Sequence, residues 1–179
     1  MRLVLSSLAT VSQPTASANW DTVEDMKLGD GVGQFQLVDH DGNRFNSGSI
    51  TGWYLLYWYP KADTPGCTAQ AEGLRDQLEA FDELGCTVLG ASFDPPDVNA
   101  AFRSKYSLRF TLLTDQSKEA ALAFGAVPDT DQTHPSRVAA LVDPSSTAAM
   151  VYQVTDPEFF AESVLDDLER LTANYPAQP

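Results

Sequence analysis

Residues 53–59 read WYLLYWY, an aromatic and aliphatic run with no polar interruption. Seven residues make fewer than two helical turns, but they make an ordinary strand. A strand that is apolar at every position, instead of every second one, has both of its faces covered. Covering both faces takes a layer on each side. This one segment therefore restricts the chain to a sheet packed between helices.

The rest of the pattern agrees. From residue 67 onward, apolar side chains fall at Cys67, Ala71, Leu74, Leu78, Phe81 and Leu84. Steps of three and four predict one amphipathic helix, with Glu72, Arg75, Glu79 and Asp82 turned to solvent. Residues 34–38 read as a strand followed by a tight turn at 39–43 (DHDGN), and 87–92 (TVLGAS) as a second central strand. A helix is predicted over 95–106, started by Asp94 and the Pro95-Pro96 pair. A short strand at 110–113 and a helix at 117–124, ended by Gly125, come next. Residues 137–143 (RVAALVD) and 148–154 read as strands joined by a turn, and 158–173 as an amphipathic helix carrying Phe160, Val164, Leu168 and Leu171.

Alternating strands and helices that end in a hairpin and a helix predict an α/β sandwich: a central mixed sheet flanked by helices, in an order that suits a thioredoxin-like architecture. The folded domain is placed at residues 26–176. Residues 1–25 are read as a Ser/Thr/Ala-rich tail. The alternative is a cleaved export signal, because Arg2 precedes a short apolar stretch and Ala16-Ser17-Ala18 resembles a signal-peptidase site.

Charge and cysteine content narrow the function. Acidic residues outnumber basic ones 25 to 11, for a net charge of -14, which repels phosphate backbones and anionic lipid surfaces. Nucleic acid and membrane partners are therefore not expected, and no apolar run is long enough to span a bilayer. Two cysteines, Cys67 and Cys86, are too few for a disulfide scaffold. With only His40 and His134 beside them, they make a poor zinc site, since no close pairing of ligands is present. Thiol chemistry and plain packing remain open.

The segment YPKADTPGCT, residues 59–68, lies where the buried strand hands over to the helix. Ligands in α/β proteins commonly bind beyond the carboxyl ends of strands. Thr64 is a natural N-cap, and Pro65 suits the first helical position. Cys67 then sits in the first helical turn, where free backbone N–H groups and the helix dipole stabilise a thiolate. Cys67 also heads the apolar stripe, which predicts partial burial. From position alone, a reactive thiol and a core cysteine are equally good readings.

That segment resembles the active-site segment of peroxiredoxins, in particular the bacterioferritin comigratory protein (peroxiredoxin Q) branch. The family pattern Pro-x-x-x-Thr-x-x-Cys falls on Pro60, Thr64 and Cys67. Leu74-Arg75-Asp76, Leu89-Gly90-Ala91-Ser92 and Arg137, opening a strand that ends in Asp143, are similar too. The resemblance runs from about residue 26 to residue 173.

It implies a thiol-dependent peroxidase, of the thioredoxin-dependent class, that reduces hydrogen peroxide and organic hydroperoxides with no cofactor, whether metal, haem or flavin. Cys67 would attack the peroxide and become a sulfenic acid. Thr64 would hold the substrate, Pro60 would exclude water from the pocket, and Arg137 would stabilise the developing charge. Many members of the branch have a resolving cysteine five residues after the peroxidatic one; here that place is Glu72. Cys86 reads as a packing cysteine. If residues 65–84 form one helix, about 30 Å separates its ends, and a bond between the two thiols would require much of that helix to unwind.

A one-cysteine cycle is therefore expected, completed by thioredoxin, glutaredoxin or a small thiol, in a cytoplasmic monomer or homodimer. The competing functions are thiol–disulfide exchange and a catalytically silent thioredoxin-fold binding module. Neither histidine has a sequence reason to be catalytic.

Overall fold

The computed structural model describes residues 26–174, so the expectations for residues 1–25 lie outside the described part. Seven strands form one mixed sheet in the order β2-β1-β5-β4-β3-β6-β7. The WYLLYWY run supplies β3 (Trp53–Trp58), and all six of its residues are buried. Beside it lie β4 (Cys86–Ser92), parallel, and β6 (Val138–Val142), antiparallel. β5 (Thr111–Thr114) runs parallel to β4. The edges are antiparallel: β1 (Gln36–Asp39) with β2 (Arg44–Asn46) on one side, and β7 (Ala148–Gln153) on the other.

The two faces of β3 feed two cores, as its alternation requires. Leu55, Tyr57 and Tyr59 pack with Cys67, Leu74, Phe81, Phe102 and Leu168, under the helices of one face. Tyr54, Leu56 and Trp58 pack with Val32, Leu113, Phe124 and Val138 on the other. Each such fully buried large side chain contributes about 1.5–3 kcal/mol, so β3 anchors both layers.

Four helices were foreseen; among the described residues there are five α-helices. The helix expected from residue 67 to residue 84 is two: α1 (Pro65–Asp76) and α2 (Leu78–Glu83), divided at Gln77 (φ -106°, ψ 8°). The apolar stripe continues through Leu74, Leu78 and Phe81, all buried, which is why periodicity alone shows no break. A stripe fixes which side faces the sheet, not whether the backbone stays wound between two of its members. α3 (Pro96–Lys105) and α5 (Phe160–Asn174) fall where expected. α4 (Glu119–Ala123) is a single short turn.

Asp94 does not cap α3. Pro95 takes that place, and the Asp94 carboxylate instead accepts hydrogen bonds from the Ala62 N–H (2.8 Å) and the Ser92 hydroxyl (3.1 Å). β2 was not foreseen, because three residues with polar ends carry too little periodicity to read.

Candidate active site

The site forms where β3 ends. Tyr59 extends the strand's path, its N–H donating to Ala91 O at 3.0 Å, while its buried hydroxyl donates to the Asn99 side chain at 2.6 Å. Pro60, half-buried, then turns the chain out of the sheet. The loop is pinned by Asp94 at Ala62 and enters α1 through Asp63, which holds a left-handed backbone (φ 60°). Asp is one of the few non-glycine residues that visit this region readily.

Thr64 stands at the N-cap position with extended backbone (φ -95°, ψ 153°), but its side chain does not cap the helix. The hydroxyl turns back and donates to Lys61 O at 2.9 Å. Thr64 thus shapes the loop and leaves the first turn of α1 without a side-chain cap. The expected N-cap is right in position and different in bonding.

Cys67 is buried more completely than the stripe suggested, at 1% exposure. Arg137 reaches it from the start of β6: Nη1 lies 3.5 Å from Sγ and donates to Gln70 Oε1 at 2.8 Å. The Arg137 backbone is fixed in turn, its carbonyl accepting from the Val154 N–H at 2.9 Å. Gly66 makes the approach possible. A Cβ there would stand 3.0 Å from Arg137 Nη2 and 3.8 Å from Pro157 Cγ.

Gln70 was missed in the sequence. It lies three residues after Cys67 and so on the same helical face, and it is fully buried in a stripe of otherwise apolar residues. A polar residue at a core position was the signal. Because Oε1 faces Arg137, Nε2 points away and has no protein partner. The hydroxyls of Thr68 and Tyr57 also lack partners, and Tyr57 packs in the same core cluster as Cys67. Burial pushes the Tyr57 phenol far above its ordinary range, with Tyr59 and Cys67 adding to the shift and Arg137 opposing it. It stays neutral beneath the site.

Pro60, Thr64, Cys67 and Arg137 therefore converge at one end of β3. Cys86 does not join them. Its register partner on β3 is Trp53, at the opposite end of the strand, roughly 16 Å away along the sheet. It is 2% exposed, and burial pushes its thiol up to about 12. His40 sits off the site, its Nδ1 accepting from the Leu112 N–H, and His134 is exposed in a loop. Among the described residues, no helix is long and apolar enough to cross a membrane.

A mixed sheet of this order, with a thiol in the first turn after its central strand and a guanidinium laid against the sulfur, suits the chemistry of a cysteine-dependent peroxidase on a thioredoxin-like fold. Comparison supports that class: the AhpC/TSA family profile matches residues 28–153, and the chain belongs to this family. Within it, the chain groups with the peroxiredoxin Q and Bcp proteins. It is 31% identical over 169 residues to a chloroplastic peroxiredoxin Q of Gentiana triflora, covering 93% of this chain and 76% of the relative. It is 44% identical over 101 residues to peroxiredoxin Bcp of Escherichia coli, covering 56% and 65% respectively. Among solved structures, peroxidoxin BcpB of Mycobacterium tuberculosis superposes with a TM-score of 0.77 at 28% identity, covering 82% of this chain and 98% of that one. The chain is thus a peroxiredoxin, a peroxidase that acts on peroxides with thiol reductants.

Proposed function

We propose that Cys67 is the peroxidatic cysteine, and that the enzyme reduces hydrogen peroxide and organic hydroperoxides in a one-cysteine cycle. The observation that carries the assignment is the Arg137 guanidinium 3.5 Å from a Cys67 sulfur that is otherwise sealed from solvent. A cation held this close in a dry site stabilises the negative charge that develops on the leaving oxygen.

The Cys67 thiolate attacks the nearer peroxide oxygen. The S–O bond forms as the O–O bond breaks, and the departing oxygen takes a proton to leave as water or an alcohol. Cys67 is left as a sulfenic acid. Thr64 orients the peroxide: its hydroxyl proton is committed to Lys61 O, so its oxygen is free to accept the peroxide's hydrogen. Pro60, at the strand's exit, shields the pocket from water. Gln70 holds the Arg137 fork in place.

An external thiol then condenses with the sulfenic acid to give a mixed disulfide and water, and a second thiol releases reduced Cys67. Thioredoxin, glutaredoxin and a small cytoplasmic thiol all satisfy that chemistry. Cys86 does not, being a protonated thiol at the far end of the strand. Thiol–disulfide exchange is the weaker reading, since the place of a second cysteine at Cys-x-x-Cys spacing is held by Gln70.

Peroxide consumption with a dithiol reductant tests the assignment. Mass spectrometry after one equivalent of peroxide, with a sulfenic-acid trap present, tests the cycle. A trapped adduct on Cys67 is expected; a rapid Cys67–Cys86 bridge would overturn the one-cysteine cycle.

A further inference from the structure

α1 is a weak helix by composition. Its twelve residues, PGCTAQAEGLRD, include Gly66, Thr68 and Gly73, all poor helix formers, and a segment of this length is marginal in water by itself. Its winding depends on what holds it from outside. Two consecutive residues at the C-terminal end of α3 do so at both of its ends.

At the front, the Asp63 carboxylate accepts from Lys105 Nζ at 2.8 and 2.7 Å and from the Tyr106 hydroxyl at 2.5 Å. At the back, the Tyr106 carbonyl accepts from Arg75 Nη1 at 2.8 Å, while the same guanidinium pairs with Glu72 and Asp76. Tyr106 is itself fixed, its ring edge-on to buried Phe102 at 5.4 Å and covered by Lys105 Nζ at 5.1 Å. Asp63 stands two residues before α1 begins, and Arg75 is its last residue but one.

We propose that Lys105 and Tyr106 act as a two-ended staple that keeps α1 wound after Cys67 is oxidised, so that the sulfenic acid is reduced where it forms. These are positioning residues; neither touches the sulfur. Without the staple the alternative is intramolecular: the Cys67 sulfenic acid condenses with the Cys86 thiol, forming an S–S bond and releasing water. That needs the two Cα atoms within about 7 Å, and so the unwinding of α1. The redox half of the inference rests on Cys67 being peroxidatic. The helix-opening half does not.

Hydrogen exchange read by mass spectrometry separates the two halves. The proteins compared are the wild type, the Lys105→Met/Tyr106→Phe double variant, which frees the front, and Arg75→Met, which frees the back. Exchange is expected to quicken about 5- to 30-fold, over residues 64–70 in the first variant and 71–77 in the second. The amides of β3 and β4 should stay at the wild-type rate, which marks the effect as local opening. If the double variant fails to fold, Tyr106→Phe alone removes a single hydroxyl and should show a smaller change over the same residues.

After one equivalent of hydrogen peroxide, the wild type should carry the sulfenic trap on Cys67, and the variants a rising share of Cys67–Cys86 bridge. Unchanged exchange in folded variants, or exchange in wild-type α1 as fast as in the variants, overturns the staple. A wild type that consumes no peroxide sinks the peroxidatic reading instead, and the exchange comparison still decides the staple.

Discussion

The two cysteines occupy opposite ends of one strand pair and are equally hidden, at 1% and 2% exposure. Burial does not tell them apart; their neighbours do. Cys67 lies in a helical first turn against a guanidinium, with Gln70, Thr64 and Pro60 gathered at the same end of β3. Cys86 opens β4, where burial raises its thiol, a backbone hydrogen bond from Leu55 opposes the shift, and the Asp82 carboxylate adds to it. One sulfur has a cation beside it and the other has none, although both cysteines belong to the same core cluster. Burial alone raises a thiol, as it does at Cys86; what sets Cys67 apart is the cation and the helical first turn beside an equally dry sulfur.

Exchanging each sulfur for oxygen should break that symmetry most sharply. Cys67→Ser is expected to lower peroxide consumption on the order of 10³-fold or more, because an alcohol is a poor nucleophile at neutral pH. Cys86→Ser should turn over near the wild-type rate. Steady-state assays of both variants with one reductant make the comparison. Equal losses in the two would mean that Cys86 takes part in the cycle.

Arg137→Met comes next. It removes the charge while keeping much of the bulk, and kcat/KM should fall about 10²–10³-fold, the usual loss on deleting one preorganised donor. Stopped-flow measurement of the oxidation step alone, at saturating and limiting peroxide, separates this from a defect in reduction. A change confined to the reduction half-reaction would move Arg137 out of the peroxide step.

Gly66→Ala probes the same contact from the other side. Its Cβ would meet Nη2 at 3.0 Å, so the guanidinium must give way by a few tenths of an ångström. A displacement that small should lower kcat/KM roughly ten-fold, less than the effect of a full misplacement. Activity equal to wild type would show that Arg137 has room to move.

What the sequence showed and what it hid follow one physical division. β3 was legible because seven consecutive apolar residues have few other solutions, and Cys67 because Thr64 and Pro65 mark a helix start beside it. Properties that depend on contacts between distant residues were not legible. The break at Gln77, the turning of Asp94 toward Ala62, and the Tyr106 contacts to both ends of α1 join positions 31 to 43 residues apart or interrupt a stripe that looks continuous. Gln70 lies between the two cases. Its position on the apolar face was visible, but its meaning required Arg137, 67 residues away.

The smallest effect concerns Cys86 alone and leaves activity unchanged. Its thiol, ordinarily near 9.0, is pushed up to about 12 chiefly by burial. A folded-state value above the unfolded one means that the unfolded chain loses its proton first as pH rises. The stabilising contribution is therefore complete below about 9 and disappears between there and about 12. Urea denaturation of the wild type at about pH 8 and about pH 10.5 should show a drop of roughly 2 kcal/mol from this group, on top of the drop from buried tyrosines. Cys86→Ala should be about 1 kcal/mol less stable at the lower pH, for the lost packing, and should lose less on going to the higher one. The tyrosines, Tyr57 and Tyr59 among them, carry the same sign in both proteins, so the difference between the two slopes isolates the thiol. Parallel curves would show that Cys86 titrates like a solvated thiol, and the contrast between the two ends of the strand would then rest on Arg137 alone.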